Sequence, residues 1–81
     1  MRQWVQHGMV HTVIETVGRC SIVEMRRKDT SNVGAIGVFF SKTNKFLKNY
    51  STFEKSDYYI AAIKTAKQYA KQFNENYKPK S

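Results

Sequence analysis

Two clusters of basic side chains carry most of the chemical capacity of this 81-residue chain. Arg26, Arg27 and Lys28 form one, Lys42, Lys45 and Lys48 the other, and no acid occurs between Thr30 and Phe53. Phe46 and Tyr50 are interleaved with the second cluster, and Phe39 lies just before it. Cations that reach a backbone together neutralise successive phosphates and release their condensed counterions. Aromatic rings beside them can stack on unpaired bases, each worth about 1–3 kcal/mol. The plainer reading is that rings in a small domain belong to its core and lysines simply solvate its surface. The balance of the whole chain weighs against the plainer reading. Fourteen Lys and Arg stand against six Asp and Glu, a formal net charge of +8, and such a surplus repels itself unless a polyanion neutralises it.

The other chemistry-bearing residues do not assemble into a reaction centre. Cys20 and His11 could face each other across a hairpin as a thiol–imidazole pair, but no third residue is placed to orient the base, and a strand cysteine is usually a small buried hydrophobe. His7 and His11 are four apart, yet a zinc site needs a third and usually a fourth ligand, and only Glu15 and Cys20 lie near. Gly34-Ala35-Ile36-Gly37 has the spacing of a GxxG backbone clamp, but it lies inside an apolar strand pattern rather than between helices. The six acids show no spacing that singles out a carboxylate pair. The chain is therefore expected to be non-catalytic, without a metal or cofactor.

These residues are positioned by an expected α+β domain. Residues 10–17 are dense in β-branched side chains, which favour a strand, although Val10, Val13, Ile14 and Val17 also fit a helix face. Gly18-Arg19 gives a tight turn into a second strand over 20–27. After the polar loop 28–32, Val33–Phe40 alternates cleanly, with Ile36, Val38 and Phe40 on one face and Ala35, Gly37 and Phe39 on the other. Residues 41–44 turn the chain into a final strand over 45–50. The spacing of Tyr59, Ala62, Ile63, Ala66, Tyr69, Ala70, Phe73 and Tyr77 predicts one long amphipathic helix. It starts near Glu54, from a capping box at Ser51-Thr52-Phe53-Glu54, or near Asp57, and ends near Phe73 or Tyr77. Lys64, Lys67, Lys71 and Lys78 fall on another stripe of it.

The resulting expectation is a three- or four-stranded antiparallel sheet with one long C-terminal helix packed on one face. Residues 1–77 form one domain, and the tail 78–81 frays. A sheet covered on one side leaves Val13, Ile22 and Phe39 needing a partner, such as a second copy in a homodimer. Lone Cys20 rules out an internal disulfide and suits a reducing compartment. The first residues lack an apolar h-region, and no stretch approaches about 18 apolar residues, so a cytoplasmic, non-membrane protein is expected. The leading functional expectation is binding of DNA or RNA without strong sequence preference. Arg26, Arg27, Lys28, Lys42, Lys45 and Lys48 would take phosphates, and Phe46, Tyr50 or Phe39 would take bases. The alternative is an inhibitor or adaptor docking on an acidic protein, and the richness in Lys, Asn, Tyr, Phe and Ile suggests an AT-rich genome such as a phage or mobile element. With no ligand set in the sequence, protein purified without added metal should contain no stoichiometric zinc by atomic absorption, and a full equivalent would overturn the non-metal reading.

Overall fold

The computed structural model describes residues 2–30, 32–51 and 56–77, with the side chains of 56 and 57 left aside. Five strands run β1 Gln3–Gln6, β2 Met9–Val17, β3 Cys20–Arg27, β4 Val33–Phe40 and β5 Lys45–Ser51, followed by helix α1 Ser56–Asn76. They form one antiparallel meander in chain order, β1-β2-β3-β4-β5. The α+β class and the single C-terminal helix agree with the sequence reading, but there are five strands rather than three or four. Residues 10–17 form strand, not helix, because their β-branched side chains pair along all of β3.

The additional strand is β1. It is only 4 residues long and shows little apolar alternation, which is why its pattern escapes a periodicity reading. Its position is set by the turn that follows. His7 and Gly8 have φ of 53° and 72°, the left-handed pair that a two-residue type I′ hairpin needs, and Gln6 then pairs with Met9.

Three bulges interrupt the ladders. Ile14 is the extra residue in β2, Gly34 in β4 and Leu47 in β5, where the register slips between Val13 and Glu15, between Met25 and Arg26, and between Val38 and Phe39. Each bulge bends its strand and adds local twist. On the helix side, Cys20, Ile22, Ile36 and Val38 are buried against Ala62, Ala66 and Ala70, with Ile14, Val17, Leu47, Tyr50, Tyr59, Ile63, Tyr69 and Phe73 around them. Three alanines at the centre of the helix face let its backbone sit close to the large β-branched side chains of the sheet. Ile22 belongs to this side, fully buried, rather than to the spare face expected for it. Val13 and Phe39 do lie on the other face, with Val23, Met25, Ala35, Trp4 and Met9.

That second face is curled rather than flat. Trp4 on β1 meets Phe39 on β4 edge-on at 5.8 Å between ring centres. Three strand spacings separate them, about 14 Å on a flat sheet. The contact therefore requires a concave surface. Trp4 also stacks on His11 at 5.0 Å, and Phe39 meets Phe46 of β5 at 5.6 Å, so four rings line the concavity from β1 to β5.

The helix is fastened at its C-terminal end. Asn74 Nδ2 donates to the carbonyls of Val17 (2.8 Å) and Ala70 (2.9 Å), and its Oδ1 accepts from the Arg19 amide at 2.8 Å. Arg19 lies over the Tyr77 ring at 4.5 Å, and Tyr77 stacks on Phe40. At the other end the capping box expected at 51–54 lies outside the described residues apart from Ser51, which ends β5.

Gly18 makes this fastening possible. Its φ is 56°, as the first central residue of a type II′ turn requires, and a Cβ there would lie 2.6 Å from the Asn74 amide nitrogen. Gly18→Ala should therefore cost about 1–3 kcal/mol in urea unfolding. Lys71→Ala, on the solvent side of the helix, should stay within about 0.5 kcal/mol; a Gly18→Ala variant as stable as the parent would show that the turn and the helix are not locked together.

Candidate nucleic-acid interface

The residues singled out from the sequence do not gather at one spot. In a meander, alternate turns share an end of the sheet. The β1–β2 and β3–β4 turns lie together, tied by the Lys28 amide donating to the Gly8 carbonyl at 3.2 Å. The β2–β3 and β4–β5 turns lie at the opposite end, tied by the Ser41 amide donating to the Arg19 carbonyl at 2.9 Å. Arg26 pairs with Val33 while Cys20 pairs with Phe40. The Arg26–Lys28 cluster and Lys42 are thus separated by about 20 Å along the strands.

The faces divide them again. Arg27 pairs with Met9, an open-face residue, and with Lys28 it lines a cleft shared with His7, Gly8, Met9 and Asp29. Phe46 lies on the same concave side, 52% exposed. Arg26 points to the helix side. Its Nε and Nη2 donate to Glu24 Oε1 at 3.2 and 3.0 Å, and the Tyr59 hydroxyl donates to Glu24 Oε2 at 2.5 Å. Arg26 therefore serves a bridge between β3 and α1. Tyr50 also faces the helix and packs against the main core beside Tyr69.

Lys45 and Lys48 owe their arrangement to the Leu47 bulge. Three residues apart, they would point to opposite faces of a regular strand. With Leu47 as the extra residue, Lys45 pairs with Phe40 and Lys48 with Val38, so both lie on the helix side, about 7 Å apart along the strand. Lys42 continues the line in the β4–β5 turn, where it shares a hollow with Arg19, Phe40, Ser41 and Tyr77. Arg19 was not singled out from sequence. The signal available was its place after Gly18 in a turn that a meander must bring beside residues 41–44.

Among the described residues two ion pairs lie on this surface. Glu24 holds Arg26, and Glu15 holds Lys67 at 2.9 Å. Among the described residues, Arg27, Lys28, Lys42, Lys45 and Lys48 have no acid within ion-pair distance. The lysine stripe on the helix is partly explained by Glu15, whose contact with Lys67 spans β2 and α1. Lys78 lies outside the described residues.

The reactive side chains stand apart. Cys20 is fully buried on the helix side, and burial pushes its thiol pKa up, away from the thiolate a nucleophile needs. His11 lies on the concave face, where it pairs with Met25 in the sheet. Among the described residues no three of His, Cys, Asp and Glu come together to hold a metal ion, and no helix is long and apolar enough to cross a membrane. No protein-family model matches the chain, and no curated protein or solved structure is detectably similar to it.

Among the described residues the Tyr59 hydroxyl is the group moved furthest from its ordinary pKa. Burial, then the hydrogen bond to Glu24 and its charge, push its pKa from 10.0 up to about 12. A raised pKa means the protonated hydroxyl is favoured in the folded state. Its contribution to stability is complete below the unfolded value and disappears as pH rises through the folded one. The stability advantage of the parent over Tyr59→Phe should accordingly persist at pH 8 and shrink between about pH 10 and 12. Urea midpoints across that range test it; an advantage unchanged to pH 12 would mean that the bond to Glu24 does not hold the proton.

Proposed function

We propose that the protein binds single-stranded nucleic acid without strong sequence preference, along the concave sheet face and over the β5 edge. The observation that carries this reading is the set of cations without acid partners among the described residues, Arg27, Lys28, Lys45 and Lys48, on either side of the half-exposed Phe46 ring. Arg27 and Lys28 flank one end of the concavity, and Lys45 and Lys48 line the rim strand whose other side bears Phe46. A strand crossing the face would place phosphates on both cation groups and a base on the ring between them. Unpaired bases favour this arrangement over a duplex, because stacking on a side chain needs an exposed base face. Arg19 and Lys42 extend the rim at the far end.

The sheet edge has a simpler reason to carry lysines, since Lys on an edge strand discourages pairing with other chains. That role accounts for Lys45 and Lys48 but not for Arg27 and Lys28, which sit off the edge at the other end of the sheet.

Binding should therefore weaken with salt, with a slope of log affinity against log salt of about −0.7 for each phosphate neutralised on a single strand. Lys45→Ala or Lys48→Ala should lower affinity for all sequences alike and flatten that slope by about 0.7. Arg26→Ala should leave the slope unchanged while lowering stability, since its partner is Glu24. Fluorescence anisotropy with labelled single- and double-stranded DNA and RNA measures this. Absence of binding to all four at about 50 mM salt would defeat the proposal and favour an acidic protein as partner of the basic surface.

A further inference from the structure

Beneath Phe46 the concave face holds a cavity of about 360 Å³, lined by Gln6, Met9, His11, Met25, Phe39 and Phe46 among others. This volume falls in the low part of the range of small-ligand pockets. Met9, Met25, Phe39 and Phe46 form its apolar walls, Gln6 and His7 bring polar groups, and Phe46 stands at the rim half exposed. The element out of keeping with a simple second core is His11, a polar ring only 5% exposed in the middle of it.

The hydrogen bonding of His11 defines what its free side can do. Nδ1 lies 3.0 Å from the Met9 carbonyl. A carbonyl oxygen only accepts, so Nδ1 carries the proton, and in the neutral ring Nε2 is left as an acceptor. Nε2 has no partner within the described chain, and no enclosed side-chain nitrogen or oxygen there goes unbonded. Nε2 is therefore open to the cavity that His11 lines. The ring cannot turn away, being stacked on Trp4 at 5.0 Å and held by the edge of Phe39 at 5.8 Å. Gln6 complements it. Its Oε1 accepts from Trp4 Nε1 at 3.3 Å, which leaves its amide protons to donate.

We infer that this cavity is a pocket for one unpaired nucleobase, stacked against Phe46 and hydrogen-bonded by the His11 Nε2 acceptor and the Gln6 amide donor. Every nucleobase carries a donor and an acceptor side by side on its pairing edge, so the pocket accepts a base without choosing strongly among them. Such recognition requires the base to be unstacked and single. Arg27 and Lys28 line the adjoining cleft, which shares His7 and Met9 with the cavity, and so stand where the phosphate of that nucleotide would lie. The inference rests on the nucleic-acid reading above and adds to it the ligand group and the residues that receive it.

The test compares a labelled 12-nucleotide DNA strand with the same strand carrying abasic sites, by anisotropy, for the parent, Phe46→Leu and His11→Phe. The parent should bind the intact strand about tenfold more tightly than the abasic one, as stacking of about 1–3 kcal/mol per base implies. Both substitutions should bring that ratio below about threefold while leaving abasic binding unchanged. Phe46 is half exposed, so its replacement keeps the interpretation open if His11→Phe fails to fold. Trp4, the one tryptophan of the chain, gives an independent readout through its stack on His11. Its fluorescence should change on adding the intact strand and not the abasic one. Equal affinity for the two strands, with salt dependence retained and Trp4 silent, overturns the pocket and the stacking on Phe46 and leaves only the phosphate contacts of the nucleic-acid reading standing. No binding of either strand at about 50 mM salt overturns both.

Discussion

One helix has to serve a sheet with two apolar faces, and the rest of the structure follows from that shortage. A chain of this size buries only about 60–65% of the surface it exposes when unfolded. Among the described residues no second layer lies over Val13, Val23, Met25 and Phe39. The sheet covers them by curling, so that Trp4 from the first strand reaches Phe39 from the fourth. The curl in turn creates a concave, ring-lined surface. What would be an open hydrophobic plane becomes a partly enclosed cavity with a defined rim.

The three bulges connect this curvature to the charge pattern. Each bends a strand, and the one at Leu47 also resets which side the following residues face. It sends Leu47 into the main core and leaves Phe46 on the concavity, while Lys45 and Lys48 fall together on the helix side. An aromatic ring and a pair of cations thus occupy opposite sides of one rim strand. Arg26 and Arg27, adjacent in sequence, are separated by ordinary alternation: one closes a bridge through Glu24 to Tyr59, and the other opens onto the cleft beside Met9.

The reactive-looking residues take their roles from burial. Cys20 is a packing residue under the helix. His11 is unlike the other buried side chains because one of its nitrogens is satisfied by the Met9 carbonyl and the other is not satisfied by the protein. A leucine at this place would fill the concavity without a polar atom to satisfy. On the reading proposed above, the free nitrogen of His11 is the acceptor kept for the entering base.

Much of this protein was determined by local pattern. The β-branched run at 10–17, the alternation over 33–40 and the helical spacing from Tyr59 to Tyr77 specify elements through backbone preference and periodicity. Those effects act over a few residues and can be read directly. The surplus of cations is likewise a property of composition. Tertiary structure alone decided the rest, because it depends on pairing between distant segments. β1 exists because the His7-Gly8 turn brings a weakly patterned segment against β2. Ile22 lies under the helix because the register of β3 assigns it there. Arg27 and Lys42 stand at opposite ends because a meander alternates its turns. A bulge cannot be located from alternation when either neighbour could be the extra residue, so the shared side of Lys45 and Lys48 stayed hidden in their spacing. The cavity around His11 needed all five strands and their curvature to bring its walls together, and no segment of the chain carries that information by itself.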